Sequence, residues 1–357
     1  MVTIKETSKT DLEKLYYEVD KAISGLDLES VWPGFEPLRF ALYDDEECFF
    51  AGKYIEKTDA FCANTSIVYD GEQIAIWKVS EALDISVLTS KLVHEMFHGF
   101  QTLKGWNCWP DEIEALFRYE YDAENLSIKL RENELLLALL DRFDGEKLRE
   151  LLSLRKLRSE KYAYQFMYEV KTEEIEGTAN YVEWQVLKLL DERKALELIG
   201  RMRAAMTSAD HLFPIRISCY YTGALMINAL KKAGLYRFDP SSRPATLSAL
   251  DCVLPSNGDF KGRKEVETAV SNAVAAFNEK TGSIIDSAIE KNEVALNGPL
   301  ELVFVNIYNA RRKGVFLTSD AFLMYRDGGE NRMIPGSFVL KMQDEKTIET
   351  VYKWDNP

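Results

Sequence analysis

The chain has 357 residues, 46% hydrophobic and 29% charged, enough apolar material to bury a sizeable core in one large or two modest domains. Its 44 lysines and arginines stand against 58 aspartates and glutamates, a formal net charge of −14 that argues against nucleic acid as a partner, because phosphate binding needs a basic patch. No apolar run reaches the roughly 18 residues of a membrane span, and the start Met1-Val2-Thr3-Ile4-Lys5-Glu6 has no signal-peptide core, so no membrane association is expected and the expected location is cytoplasmic.

An amphipathic helix is predicted over residues 9–23. Pro33 and Gly34 then break the chain into strand-like segments at 38–43, 48–51, 65–69 and 73–79, the last two around Asp70-Gly71, so that a small β-sheet spans about 36–80. Residues 80–295 read as overwhelmingly helical. Within them, 111–141 is predicted as one long helix, joined by a turn at 141–145 to a second helix over 146–158, which makes a helical hairpin. The most basic stretch, 151–161, reads as a solvated helix face. The closing segments 300–307, 314–324, 337–342 and 347–354 alternate apolar and polar residues between glycine and proline turns, which predicts a C-terminal antiparallel sheet. The expected fold class is therefore α+β, with domains at 1–295 and 296–357. Cys48, Cys62, Cys108, Cys219 and Cys252 are scattered and odd in number, as expected of free thiols.

Only three histidines occur, and two fall in the string His94-Glu95-Met96-Phe97-His98. On a helix these imidazoles stand one turn apart on the same face, where a single Zn²⁺ can accept a nitrogen from each. Glu95, turned about 100° away, is placed to act as general base toward a water beside the metal. Leu92, Val93, Met96, Phe97 and Phe100 are apolar at helical spacing, so the helix is expected to be buried and its polar residues to need partners. The alternative reading is a pair of core histidines satisfied by ordinary hydrogen bonds.

A catalytic zinc takes three protein ligands and leaves one position to water. The remaining histidine, His211, lies far downstream, and Gln101 and Lys104 occupy the positions where an HExxHxxGxxH pattern would continue. The better third ligand lies in Glu173-Glu174-Ile175-Glu176-Gly177-Thr178-Ala179-Asn180-Tyr181, where carboxylates recur at one-turn spacing, and Glu176 is the expected one. Gly177 costs a helix interior about 1 kcal/mol relative to alanine, which suggests close backbone packing there, with the metal helix as the candidate neighbour; a glycine at a helix break is the alternative reading. Glu173 and Asn180, one turn to either side, are candidates to orient a ligand.

An HExxH helix followed by Glu-Gly-x-Ala-x-Tyr resembles the gluzincins, the thermolysin-like clan of zinc metallopeptidases, over about residues 85–230. The resemblance implies a mainly helical, zincin-like catalytic core behind a small sheet whose edge strand can take an extended peptide. It implies Zn²⁺ held by His94, His98 and Glu176, with Glu95 as the base. As many as 78 positions separate His98 from Glu176, more than in the best-known members, so the helical hairpin must return the chain. The resemblance also implies an oxyanion-stabilising group in Ser218-Cys219-Tyr220-Tyr221-Thr222-Gly223-Ala224, where Tyr220 and Tyr221 are both candidates and His211 is a third. A zinc-dependent peptidase acting on a peptide or protein substrate is the expected function. Two other readings stay open: a degenerate metal site in a protein that binds a partner through its C-terminal sheet, and a zinc hydrolase of a non-peptide amide or ester.

Overall fold

A computed structural model describes residues 11–80, 84–236, 244–253 and 262–355 of the chain. In chain order the elements are α1 (Leu12–Ser24), α2 (Leu28–Val31), β1 (Phe40–Tyr43), β2 (Cys48–Phe50), β3 (Lys53–Ile55), β4 (Thr65–Tyr69), β5 (Glu72–Lys78), α3 (Ile85–Leu103), α4 (Glu112–Arg118), α5 (Ala123–Asp141), α6 (Gly145–Lys161) and α7 (Ala163–Thr172). A single π-helical turn, Glu173–Gly177, leads into α8 (Thr178–Leu190), followed by α9 (Glu192–Met206), α10 (Ile215–Lys232), α11 (Ala245–Leu250) and α12 (Lys264–Lys291). The strands β6 (Val294–Val305), β7 (Arg312–Lys313), β8 (Phe316–Ser319), β9 (Phe322–Asp327), β10 (Glu330–Pro335), β11 (Phe338–Met342) and β12 (Thr347–Lys353) complete the chain. The fold class is α+β. Among the described residues no helix is long and apolar enough to cross a membrane.

These elements form two compact units, each assembled from three stretches: Met1–Cys108, Glu173–Ala204 and Gly223–Ala245 in the first, Trp109–Thr172, Ala205–Thr222 and Thr246–Pro357 in the second. The expected boundary at 295/296 does not coincide with them.

The first unit is built on a mixed sheet of order β3-β2-β1-β5-β4, in which only β1 and β5 run parallel. Its middle is dry on both faces: all four residues of β1 are buried, as are Ile74, Ala75 and Ile76 of β5. Asp70 and Gly71 both have positive φ, 50° and 80°, the backbone that a tight hairpin between β4 and β5 demands. Ala51 and Gly52 turn the chain in the same way, at φ 52° and 78°, and lead into β3, a strand the sequence pattern did not reveal. Asp84 starts α3 by accepting a hydrogen bond from the Ser86 N–H at 2.9 Å. The helix then buries Leu88, Leu92, Val93, Met96, Phe97 and Phe100. Each such burial stabilises by about 1.5–3 kcal/mol, so the apolar face and not the histidines holds α3 in place. Gly99 lies against the sheet, where a Cβ would collide with the Leu38 side chain and the Ser66 hydroxyl.

In the second unit a seven-stranded antiparallel sheet runs in the order β10-β9-β6-β12-β11-β8-β7. Leu300, Leu302, Leu317, Leu323 and Leu340 pack with Ile113, Leu116 and Phe117 of α4, while Val339 meets Ile284, Ile285 and Ala288 of α12. The C-terminal strands therefore share their cores with helices far upstream, which is why no domain break follows residue 295.

Three local expectations are corrected here. The apolar pattern over 111–141 spans two helices, because Asp111 and Asp122 each accept a backbone N–H, from Glu114 and Asn125, and Asp122 restarts the helix inside the pattern. The segment 314–324 divides into β8 and β9 at Ala321, whose φ of 73° breaks an extended strand. The basic stretch on α6 is not a solvated face, since Arg155 and Arg158 are fully buried. All five cysteines are free.

Candidate metal centre

The HEMFH string lies in the middle of α3, and helical geometry sets its two imidazoles on one face. The helix α8 packs alongside α3 within the first unit, and the π-helical turn that precedes it presents Glu176 to that face. His94, His98 and Glu176 converge. His94 Nε2 and His98 Nε2 are 3.1 Å apart, and Glu176 Oε2 stands 3.2 Å from His98 Nε2 and 3.8 Å from His94 Nε2. Ligands at zinc-like distances on a tetrahedron are separated by about 3.3 Å, so two edges of the triangle are close to those of such a polyhedron and the third, between His94 and Glu176, is longer. His94 and Glu176 are each 7% exposed and His98 is partly buried, so these groups cannot rely on bulk water.

The far sides of the rings decide which atoms face inward. His94 Nδ1 lies 3.1 Å from Glu183 Oε2, and that carboxylate is also 3.5 Å from Lys91 Nζ. A carboxylate only accepts, so Nδ1 carries the proton and Nε2 is left as a bare lone pair. His98 Nδ1 sits 2.7 Å from Gln101 Oε1. The Gln101 amide is fixed in that sense, because its nitrogen donates to the Ile175 carbonyl and to Thr178 Oγ1, both at 2.9 Å. His98 Nε2 is therefore also a lone pair. Two lone pairs and a carboxylate oxygen pointing at one another repel unless a cation stands between them. The donor set fits a divalent metal ion.

Without a metal, a proton can stand in that place. Burial alone pushes the His94 imidazole down, but Glu176 and Glu183 outweigh it and lift the group to about 10. Burial likewise lifts the Glu95 carboxyl above its ordinary range; the imidazoles oppose that rise, and Glu176 and Glu183 add to it. Glu183 is held low: burial would raise it, yet its contact with His94 and the charge of Lys91 prevail.

The π-helical turn explains how Glu176 is aimed. Such turns interrupt the i→i−4 ladder, occur disproportionately at functional positions, and leave carbonyls that need other donors. Thr178 Oγ1 donates to the Glu174 carbonyl at 2.6 Å, and the Gln101 amide reaches the Ile175 carbonyl. Gln101 thus ties His98 and the turn carrying Glu176 into one hydrogen-bonded piece. Gly177 is needed for close approach, as expected, but its neighbour is not the metal helix: a Cβ there would run into the backbone of Gly223 on α10. Glu174 turns elsewhere, accepting from the Ala245 N–H at 3.1 Å, and burial pushes it up to about 7.

The structure thus brings together His94, Glu95, His98 and Glu176 in one unit. Tyr220, Tyr221 and His211 belong to the other: Tyr220 Oη is 3.1 Å from Tyr308 Oη, and His211 is exposed on a short 3₁₀ turn, Ala209–Leu212. Glu183 and Gln101 were missed as partners of the rings, though both leave a periodic signal. Gln101 follows His98 by three positions and Glu183 follows Glu176 by seven, each on the same helix face as its predecessor. Compared with protein families, with curated proteins and with solved structures, the chain has no match.

Proposed function

We propose that this chain is a zinc-dependent metallopeptidase of the gluzincin type, hydrolysing peptide bonds in a peptide or protein substrate. The observation that carries the reading is the convergence of the buried Glu176 carboxylate on two imidazole nitrogens of α3, the helix that also supplies Glu95. Two histidines and a glutamate are the ligand set of one group of catalytic zinc sites, and three protein ligands leave a coordination position for chemistry. When bound, zinc would polarise the scissile carbonyl and bring the pKa of a water toward 7.

The chain's own residues do the rest. His94, His98 and Glu176 would hold the ion, while Glu183 and Gln101 keep the two Nε2 lone pairs aimed at it. Glu95 takes the proton of the attacking water and passes it to the leaving amine. A carboxyl lifted by burial is suited to that transfer at neutral pH, although a bound cation would draw its pKa down again. Tyr220→Phe and Tyr221→Phe variants test whether either tyrosine, which the gluzincin resemblance suggests for the oxyanion, takes part in turnover.

The test is metal analysis of the purified protein followed by a peptide-library digest with added zinc, using the wild type and Glu95→Gln. About one equivalent of metal in both proteins, with cleavage by the wild type alone, supports the reading. Cleavage that persists in Glu95→Gln, or a wild type that takes up no metal, overturns it.

A further inference from the structure

The second unit holds an open cavity of about 270 Å³ whose lining joins four aromatic rings, Tyr119, Tyr121, Tyr168 and Phe277, to Arg216, Arg311 and Arg312, with Glu112 and Glu120 also at its wall. Arg216 and Arg311 differ in their partners. Arg216 is paired with Glu112, which also accepts from the Tyr168 hydroxyl at 2.8 Å. Arg311 meets only neutral acceptors: its Nη1 donates to the Phe277 carbonyl at 3.3 Å and to Thr281 Oγ1 at 3.5 Å, and its guanidinium lies 4.3 Å over the Phe277 ring. Among the described residues no carboxylate pairs with it, although acidic groups outnumber basic ones in this chain. Burial pulls its pKa down, a sign that the charge lacks compensation there. Close by, the Tyr121 hydroxyl accepts from the Ile215 N–H at 3.4 Å, and its own proton has no acceptor among the described residues.

We infer that this cavity is a binding site for a small aryl carboxylate, with the carboxylate on Arg311 and the ring among Tyr119, Tyr121 and Phe277. A planar guanidinium whose remaining N–H donors are unspent matches the two oxygens of a carboxylate. Aromatic walls favour a flat apolar body over a bare inorganic ion. The volume lies just below the roughly 300 Å³ at which ligand pockets usually begin, so the ligand is compact.

Calorimetric titration of the full-length protein with benzoate, benzyl alcohol and inorganic phosphate tests this. Benzoate is expected to bind, with the neutral alcohol and the ringless anion each weaker by about tenfold or more. Arg311→Gln is expected to lose about tenfold or more in benzoate affinity while keeping its thermal midpoint. Should that variant fail to fold, Arg311→Lys, which keeps the charge but not the fork, is read in its place and is expected to bind benzoate more weakly than the wild type. The inference is overturned if the wild type does not bind benzoate, if phosphate or benzyl alcohol binds as well, or if the variant read binds benzoate unchanged.

Discussion

The buried polar cluster around Arg158 in the second unit and the one around His94 in the first are alike in burial and opposite in how they are neutralised. Arg158 donates to Asn125 Oδ1 at 2.7 Å and to Glu132 Oε2 at 3.0 Å, and it pairs with Glu169. Lys129 Nζ is 3.0 Å from Glu169 Oε2, Arg155 Nη1 is 3.5 Å from Glu132 Oε2, and the Tyr119 hydroxyl donates to Glu169 at 2.7 Å. All five charged side chains are fully buried. Burial would raise Glu169, but Arg158 and Lys129 overcome it and hold the group below its usual range. Here the cations are covalent parts of the chain. Around His94, in contrast, Lys91 Nζ lies 3.5 Å from Glu183, and the triad sets two imidazole nitrogens and a carboxylate oxygen facing one another. A metal ion or a proton can serve these donors as their cation. A buried cluster that brings its own counter-charges is architecture, whereas one whose donor atoms converge on one another could hold a metal ion.

The largest effects should come from breaking the exchangeable side. Glu176→Ala and His94→Ala should lower bound metal from about one equivalent to near zero, and should abolish the rise in thermal midpoint that added zinc gives the wild type. Elemental analysis and paired melting curves with and without chelator measure both. Glu95→Gln should keep the metal and lose about 10²- to 10⁴-fold in kcat on a cleaved peptide, which separates ligand from base in one pair of variants.

On the covalent side the expected loss is in stability. Arg158→Met leaves Glu132 and Glu169 buried without their shared partner, which should cost about 3–5 kcal/mol in denaturant unfolding. That loss should be the same with and without zinc. A loss that zinc reverses would mean that the two clusters are coupled and that the contrast between them is misdrawn.

The same contrast has a pH signature. In the metal-free protein His94 titrates at about 10, above the value near 6.5 of an unfolded histidine. Its contribution to stability is therefore complete below about pH 6.5 and disappears as the pH rises through 10. The metal-loaded protein lacks this step, because a ligating imidazole is already neutral. Zinc binding at pH 7 should accordingly release about one proton from His94, read from the dependence of calorimetric heat on buffer ionisation enthalpy. Heat independent of the buffer would remove the proton from its place in the triad.

How much of this was written in the sequence depends on the range over which each signal acts. The HEMFH helix, the hairpin turn at Asp70-Gly71 and the strand Thr65–Tyr69 follow from local periodicity and turn chemistry, and they occur where expected. Glu176 was legible as a carboxylate before a glycine, but the π-helical turn that aims it was not, because it depends on donors from α3. The partner of Gly177 was misjudged for a related reason: a glycine announces a close approach without saying to what. Arg155 and Arg158 illustrate the same limit. A basic run on a helix reads as solvated until tertiary structure supplies Glu132 and Glu169 to receive it.

The smallest effect, and the finest test of the contrast, lies in Gln101. Its oxygen orients His98 while its nitrogen satisfies the Ile175 carbonyl and Thr178 on the turn of Glu176. Gln101→Leu should weaken zinc binding by about 10- to 100-fold, as loss of an orienting partner does at metal-bound histidines, measured by competition with a chromogenic chelator. Gln101→Glu keeps the acceptor for His98 Nδ1 but sets oxygen against the Ile175 carbonyl. If orientation of the ring dominates, the glutamate variant should retain most of the affinity; if the tie to the π-helical turn dominates, both variants should fall together. Affinity unchanged in both would mean that the imidazole is positioned by packing on α3 alone, and that the triad is preorganised by its helices and not by hydrogen bonds.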